Sequence, residues 1–433
     1  QIHGDMTFGL LADMAGSGVD RLNGGSPDGT SDAISNIGRL RLSLAVPIKE
    51  DTDEGYLGRG DLYARLISAW GREQPLGAQA NNAGSFQAFN SQSIFARDAS
   101  ANNEGGNGNG RLRINTYLEH MYYKQHINSG VPLLSNWYLG DKPGWENTGD
   151  LYVGVVPWWF LFDKSPYRGD TVDRFQNAAF FNTPGTILSR NMPTVAYAWH
   201  QGLGENTSLD LTSAIATVDA GDVNNGLNAT YEARLNYHTG FISDSWNKPG
   251  SLYVGGFNVW QAGSRSLSNT IVSGAVDRTG VLIGNADNRD NTNALYAGWN
   301  QEWYKGIGTS VSYLLSNNSN SSLALGQTGT FFPSVSATTA STVRTSAHQA
   351  LSAVLSVPMS ALGTWREKDE IGVGYAFVDF NNPNNTQLNN QGEQDANNLE
   401  QVVETYYRVQ VGDHFSVVPS VQLIMNSFGM SAN

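Results

Sequence analysis

Along most of the chain, apolar and polar residues alternate one by one. The clearest case lies near the C-terminal end. Val403, Thr405, Tyr407, Val409 and Val411 fall on one face of an extended stretch, and Glu404, Tyr406, Arg408 and Gln410 on the other. After a tight turn at Gly412 and Asp413, Phe415, Val417, Pro419, Val421, Leu423 and Met425 alternate with Ser416, Val418, Ser420, Gln422 and Asn426. The pattern predicts a hairpin of two long strands. Each runs to about ten residues or more, past the five or six usual in globular proteins and enough to cross a bilayer at a tilt.

The same period of two recurs upstream. In 37–48, Leu40, Leu42, Leu44, Val46 and Ile48 oppose Arg39, Arg41, Ser43 and Ala45; a helix would scatter these leucines around its surface. In 60–71, Leu62, Ala64 and Leu66 oppose Asp61, Tyr63 and Arg65. In 111–125, Leu112, Ile114, Thr116 and Leu118 oppose Arg111, Arg113, Asn115, Tyr117 and Glu119. In 228–240, Ala229, Tyr231, Ala233, Leu235 and Tyr237 oppose Thr230, Glu232, Arg234, Asn236 and His238. Further strands are expected at 6–16, 194–202, 208–218, 251–261, 294–304, 307–317, 343–358 and 370–380. Residues 151–162 (LYVGVVPWWFLF) are nearly continuous in apolar residues, so their two faces cannot be told apart; Pro157, Trp158 and Trp159 suit a strand end in the headgroup zone.

The count comes to about fifteen strands, with connections alternating roughly long and short. A sandwich has no reason to alternate this way, whereas bacterial barrels put short turns on the periplasmic side and long loops outside. The expected fold is all-β: one transmembrane antiparallel β-barrel of about 16 strands, a single domain over 1–433. The polar segment 72–109 is too long for an ordinary loop and is expected outside the barrel or folded into its lumen. An odd count makes the first and last strands run the same way. Because an open edge in lipid is costly, the reading expects one further strand after residue 433 to pair with 6–16, unless a strand is hidden in 163–193.

Composition narrows the alternatives. The chain has no cysteine, which excludes disulfides, thiolate metal sites and cysteine nucleophiles. Only 15% of residues are charged, and the 11% aromatic content with 48 glycines fits aromatic girdles and many turns. No run of about 18 apolar residues forms a transmembrane helix. A net charge of −13 argues against a nucleic-acid partner. The rival class is a secreted all-β carbohydrate-binding or adhesive protein, which would be soluble without detergent.

No GxSxG, HExxH or Walker loop is present, so an enzyme in the barrel, such as a lipase, is a poorer third reading. His3, His120, His126, His200, His238, His348 and His414 show no ligand spacing, and Asp287, Asn288, Arg289 and Asp290 lack the EF-hand pattern. No cofactor or metal is expected. The functional signal is distributed instead. Arg39, Arg41, Arg65, Arg111, Arg113, Tyr117, Glu119, Glu232, Arg234, His238, Glu404 and Arg408 share the polar faces. Arg or Lys facing lipid would cost about 2–4 kcal/mol at the midplane, so these faces turn to the lumen. There they set a charged wall, or brace it as ion pairs, for instance Arg234 with a glutamate on a neighbouring strand; one residue can do both. Arg39, Arg41, Arg111 and Arg113 come from neighbouring hairpins. They are expected to concentrate positive potential near a constriction narrowed by 72–109. Arginine forks and tyrosine faces on one wall also suit sugars.

The terminal hairpin resembles the last hairpin of the carbohydrate-selective porins of the OprB family. The residues that carry the resemblance are Glu404, Tyr406, Tyr407, Arg408, Ser416, Pro419 and Gln422, and the RFQNAAFFNTPG stretch at 174–185 is similar in layout. The resemblance implies a sixteen-stranded barrel in the bacterial outer membrane and passive diffusion of small hydrophilic solutes, with sugars preferred in some members. It implies membrane lipids and lipopolysaccharide as surroundings, and leaves homo-oligomerisation open. The sequence departs from the family at its end, where Asn426 is followed by Ser427 rather than proline, and it lacks the surface-layer-homology segment of cyanobacterial relatives.

Overall fold

Each alternating stretch forms a strand, because only an extended backbone puts the apolar set on one side and the polar set on the other. The computed structural model describes residues 2–12, 34–49, 57–71, 114–128, 146–168, 174–180, 191–217, 227–241, 247–260, 282–283, 292–316, 323–324, 347–380 and 399–425. Within them, apart from a short pair of Leu282–Ile283 with Leu323–Ala324, the strands of the main sheet are β1 (Ile2–Ala12), β2 (Ile34–Lys49), β3 (Leu57–Gly71), β4 (Ile114–Ile127), β5 (Asn147–Pro157), β6 (Asn191–Gly202), β7 (Thr207–Thr217) and β8 (Leu227–His238). They continue as β9 (Pro249–Trp260), β10 (Thr292–Glu302), β11 (Gly308–Ser316), β12 (Ala347–Pro358), β13 (Glu370–Phe380), β14 (Leu399–Val411), β15 (Phe415–Val417) and β16 (Ser420–Met425). All sixteen join one antiparallel sheet in which sequence neighbours pair as far as β15. β15 and β16 are two pieces of the strand expected over 415–426, interrupted at Val418 and Pro419, and both pair with β14. Proline has no N–H to give the ladder and is tolerated at such an edge.

The outer face is an apolar belt: Leu42, Leu44, Leu66, Val153, Val195, Ile215, Leu252, Val254, Leu295, Val373 and Leu423 are all exposed. The inner face carries the polar set, with Arg39, Glu232, Ser310, Ser352 and Glu404 buried. Described turns at 203–206, 303–307, 359–369 and 412–414 gather on one rim; Gly412, at φ 70°, takes the left-handed turn position between β14 and β15. The opposite rim carries the long connections, including 13–33, 72–113 and 261–291, which lie almost wholly outside the described residues. The expected lumen segment 72–109 falls there too, as do Arg111 and Arg113, while Tyr117 is described only in its backbone.

Three expectations are corrected. Residues 151–162 are not one strand. β5 ends at Pro157, and Trp158–Leu161 form a helical turn. Trp158 lies wholly buried rather than in a headgroup zone, its indole N–H donating to Thr194 Oγ1 at 2.7 Å. Within 163–193, where a hidden strand is the alternative, no further strand is present among the described residues: 163–168 and 174–180 lie against the inner wall, and the strand expected at 194–202 already begins at Asn191. Finally, β4 does not alternate evenly. The pairing with β3 slips after Leu118, so that Arg65 faces His120 while Leu66 faces Leu118. Glu119 is thus a bulge, and the inward parity moves from odd to even residues, bringing Tyr122 and Lys124 to the lumen side.

Closure of the sheet into a barrel follows from what 158–180 touches. A flat sheet would separate β3 from β15 by roughly 55–60 Å at about 4.8 Å per strand. Yet this one segment reaches Arg65 on β3, Thr194 on β6, Glu232 on β8, Glu370 on β13, Glu404 on β14 and Gln422 on β16. At the sheet ends, β1 pairs only with β2, and β15 and β16 only with β14, among the described residues. No hydrogen bonding between 415–425 and β1 is described.

Candidate functional site

The lumen is shaped by 158–180, held against one wall by three clamps. The first is at Asp163, which sits at φ 53°, a left-handed position that a side chain rarely adopts. Its backbone N–H donates to Glu232 Oε2 at 2.7 Å. Its carboxylate accepts from Arg168 Nη1 at 2.9 Å and from the Tyr253 hydroxyl at 2.5 Å. Next, the Lys164 carbonyl accepts from Arg234 Nη1 at 2.9 Å and Asn300 Nδ2 at 3.0 Å. Arg234 itself forks onto Glu232 Oε1 at 2.9–3.0 Å and lies 4.3 Å over the Tyr253 ring. Its partner is therefore two residues away on the same strand and face, not on the neighbouring strand that the sequence suggests.

The third clamp grips the returning half. The Glu404 carboxylate accepts the backbone N–H groups of Gln176 at 2.7 Å and Asn177 at 2.9 Å. Asn177 Nδ2 reaches Gln422 Oε1 at 3.2 Å. Arg174 bonds Glu370 at 2.8 and 3.2 Å, and Arg408 approaches the same carboxylate at 3.3 Å; Tyr406 donates to it as well. Between these polar contacts Phe175 packs edge-on to Tyr406 and lies 4.9 Å from Phe180. The wall beneath is made of small residues: Ser310 and Ser312 on β11, Ala350 and Ser352 on β12, Gly374 and Ala376 on β13. A Cβ at Gly374 would fall 2.7 Å from the Phe180 ring, so glycine is what lets the segment lie flat there.

The opposite wall, β1 to β5, faces the remaining passage. Arg41 pairs with Asp5 at 2.8 Å, and Arg39 lies one inward position away. Arg65 reaches Glu119 at 3.4 Å and Ser43 at 3.0 Å, and lies 6.0 Å over the Trp159 ring. Tyr63 stacks on Tyr122 at 5.1 Å, and Tyr122 on Phe160 at 5.7 Å, so the helical turn leans on an aromatic ladder. Lys124 and His126 hold Asp150 at 3.0 and 2.9 Å.

Of the residues singled out in sequence, Arg39, Arg41, Arg65 and Glu119 gather on this wall. Glu232, Arg234 and Glu404 grip the segment instead, while Arg408 reaches it only through the Glu370 carboxylate that it shares with Arg174. His238 sits apart near the short-turn rim, its Nδ1 at 3.3 Å from the Asn206 carbonyl. Sequence reasoning missed 158–180 itself, with Lys164, Arg168 and Arg174, and the wall groups Tyr253, Tyr296 and Glu370. One signal was available: the inward rows Ser310–Ser312 and Gly372–Gly374–Ala376 are too small to fill a wall unless something packs on them. As an arrangement, the site is a water-facing passage with fixed, mostly paired charges and a segment lying along its wall.

Comparison with known proteins agrees with this geometry. No curated protein matches the sequence. Among solved structures, OprB of Pseudomonas putida aligns with TM-score 0.60 at 13% identity, covering 99% of this chain and 90% of that one. OccAB1 of Acinetobacter baumannii gives 0.41 at 10% identity, covering 99% and 92%. A BenF-like porin of Pseudomonas fluorescens Pf-5 gives 0.42 at 9% identity, covering 98% and 93%. The sequence profile of the "carbohydrate-selective porin, OprB family" matches residues 70–433. With most of its length inside that match, the chain belongs to the OprB family of porins, outer-membrane β-barrels for small solutes.

Proposed function

We propose that this porin passes small neutral solutes by diffusion, sugars ahead of other solutes of equal size, and acts as a passive channel rather than a catalyst. The observation that carries the reading is the lumen itself. Its charges are largely matched in pairs, Arg41 with Asp5, Arg65 with Glu119, Arg234 with Glu232 and Arg174 with Glu370. Paired groups offer donors and acceptors side by side while cancelling much of the long-range field. Hydroxylated solutes use both kinds of group, and ions feel mainly the residual field.

The pore-lining set extends to Arg39, Glu119, Arg408 and His238, and to Arg111, Arg113 and Tyr117 on the β3–β4 hairpin. The connection 72–109 is placed by the same reading at the outer mouth or in the lumen. Lipopolysaccharide surrounds the outer rim, and chemical cross-linking in detergent reports whether copies associate. Liposome swelling with a series of neutral sugars and amino acids tests the preference. Monosaccharides should enter faster than amino acids of similar mass; equal rates across the series overturn it.

A further inference from the structure

Two histidines on the lumen wall, toward the short-turn rim, stand apart from the clamps. His126 lies opposite Asp150 across β4 and β5, its Nδ1 2.9 Å from Oδ1. His200 lies opposite Asp210 across β6 and β7, its Nδ1 2.5 Å from Oδ1. β5 and β6 are neighbours, and their register sets Asp150 against Ala198 and Thr148 against His200. Asp150 and His200 are therefore diagonal neighbours, roughly 7–8 Å apart, and the two pairs form one row. We propose that this row of two His–Asp pairs on β4 to β7 sets ion selectivity at the periplasmic mouth, with protons as its effector. Cations are favoured while both histidines are neutral, and the preference shifts toward anions when they charge. The proposal rests on the porin reading above and adds which residues discriminate among ions.

Protons and hydrated ions can reach the row. The His126 side chain is 35% exposed and that of His200 43%, and His200 lines an open cavity of about 540 Å³ together with Glu146, Lys164 and Arg234. Glu404, by contrast, is fully buried and cannot act on a passing ion in this way. Histidine is also the side chain whose ordinary charge change falls between about pH 5 and 8. Bracing alone would not need it, since a glutamine can donate to an aspartate without titrating.

The groups around the two rings leave carboxylates in excess while the rings are neutral. Around His126, Lys124 lies 3.0 Å from Asp150, Arg59 on β3 holds Asp61 at 2.9 Å, and the Tyr152 hydroxyl approaches Asp150 at 3.5 Å. Around His200, Glu146 and Asp150 act on the ring besides Asp210, while Arg234 on β8 is matched by Glu232 at 2.9 Å. The Lys164 ammonium acts on Asp210 from the segment, and Asn236 Nδ2 donates to Asp210 at 2.7 Å. Tyr167, Glu205 and His238 line the same cavity. Protonation places a positive charge beside each aspartate, so Asp150 and Asp210 no longer draw cations to the wall.

The test is the reversal potential of the full chain in a planar bilayer under a potassium chloride gradient, read at about pH 8 and about pH 5.5. The potassium-to-chloride permeability ratio should fall about threefold on acidification, roughly the effect of one unit charge on an ion a few ångströms away in salt water. His126→Gln with His200→Gln keeps a donor toward each aspartate and removes the titration, so its ratio should stay nearly constant between the two conditions. Absence of any open channel is a different failure, because it overturns the porin reading on which the row depends. In open channels, an unchanged ratio in the unaltered protein overturns the proposal, whether or not the variant folds. A folded double variant whose ratio falls as far as that of the unaltered protein overturns it too, and assigns the response to other groups such as His120 or His238.

Discussion

Removing the Glu404 carboxylate should free the returning half of the narrowing segment. Glu404 is fully buried on β14 and accepts two backbone N–H groups, from Gln176 and Asn177, at 2.7 and 2.9 Å. In Glu404→Ala both donors lose their acceptor in a site that water does not reach. Each orphaned N–H costs about 1–3 kcal/mol, so docking weakens by roughly 2–6 kcal/mol. Relief from burying a carboxylate offsets part of this, which points to the lower end. Even 2–3 kcal/mol shifts the docked fraction by a factor of about 30–150. Glu404→Gln should lie between, because its amide keeps one acceptor oxygen and turns an NH₂ toward the second donor. Single-channel recording is the assay. The alanine variant should show larger, noisier openings while keeping the folded, heat-modifiable band on SDS gels that reports an intact barrel. Unchanged conductance and noise in a folded Glu404→Ala barrel would refute the clamp.

Other perturbations follow from the same geometry. Gly374→Leu places its side chain into the Phe175 and Phe180 rings, 2.7–2.8 Å from a Cβ, and should expel the segment and raise conductance as Glu404→Ala does. Arg65→Ala strips Glu119 of its 3.4 Å partner, so the reversal potential in a salt gradient should shift toward cation preference; Arg111→Ala with Arg113→Ala should move it the same way, and no shift would make these arginines braces only. In the turn 359–369, the Arg366 guanidinium bonded to Asp369 holds that carboxyl well below the usual carboxylate range, with Tyr407 and Gln410 N–H adding to it at 2.7 and 3.0 Å. A depressed carboxyl contributes stability above its unfolded pKa and loses it as pH falls through the folded one. Acid unfolding should therefore begin at higher pH in Asp369→Asn only if other groups dominate; the expected result is a variant less stable at neutral pH with a flatter dependence below about pH 4.

The strands and their faces were legible because each crossing has one solvent on each side, so period two carries the whole message. That is why Arg39, Glu232 and Glu404 could be assigned inward from neighbours alone. Their partners could not. Glu404 meets residues 227 and 228 positions away, and Glu232 meets Asp163 69 positions away, through a loop whose route no local pattern encodes. Residues 151–162 defeated the alternation rule because Trp158 and Phe162 are buried all round, between the segment and the wall, so neither face is polar. The bulge at Glu119 is invisible for a different reason: one extra residue moves the inward set without altering composition. The narrowing role expected of 72–109 falls outside the described residues; within them, 158–180 is the segment that lies against the lumen wall.

A single added thiol tests the central claim, that 158–180 stands in the conducting passage of a porin barrel. The chain has no cysteine, so Lys164→Cys gives one reactive site without background. With this variant in a planar bilayer, a bulky charged thiol reagent should lower single-channel conductance in discrete steps, while the cysteine-free chain is unaffected. Complete labelling, verified by mass, with no change in conductance would contradict the account.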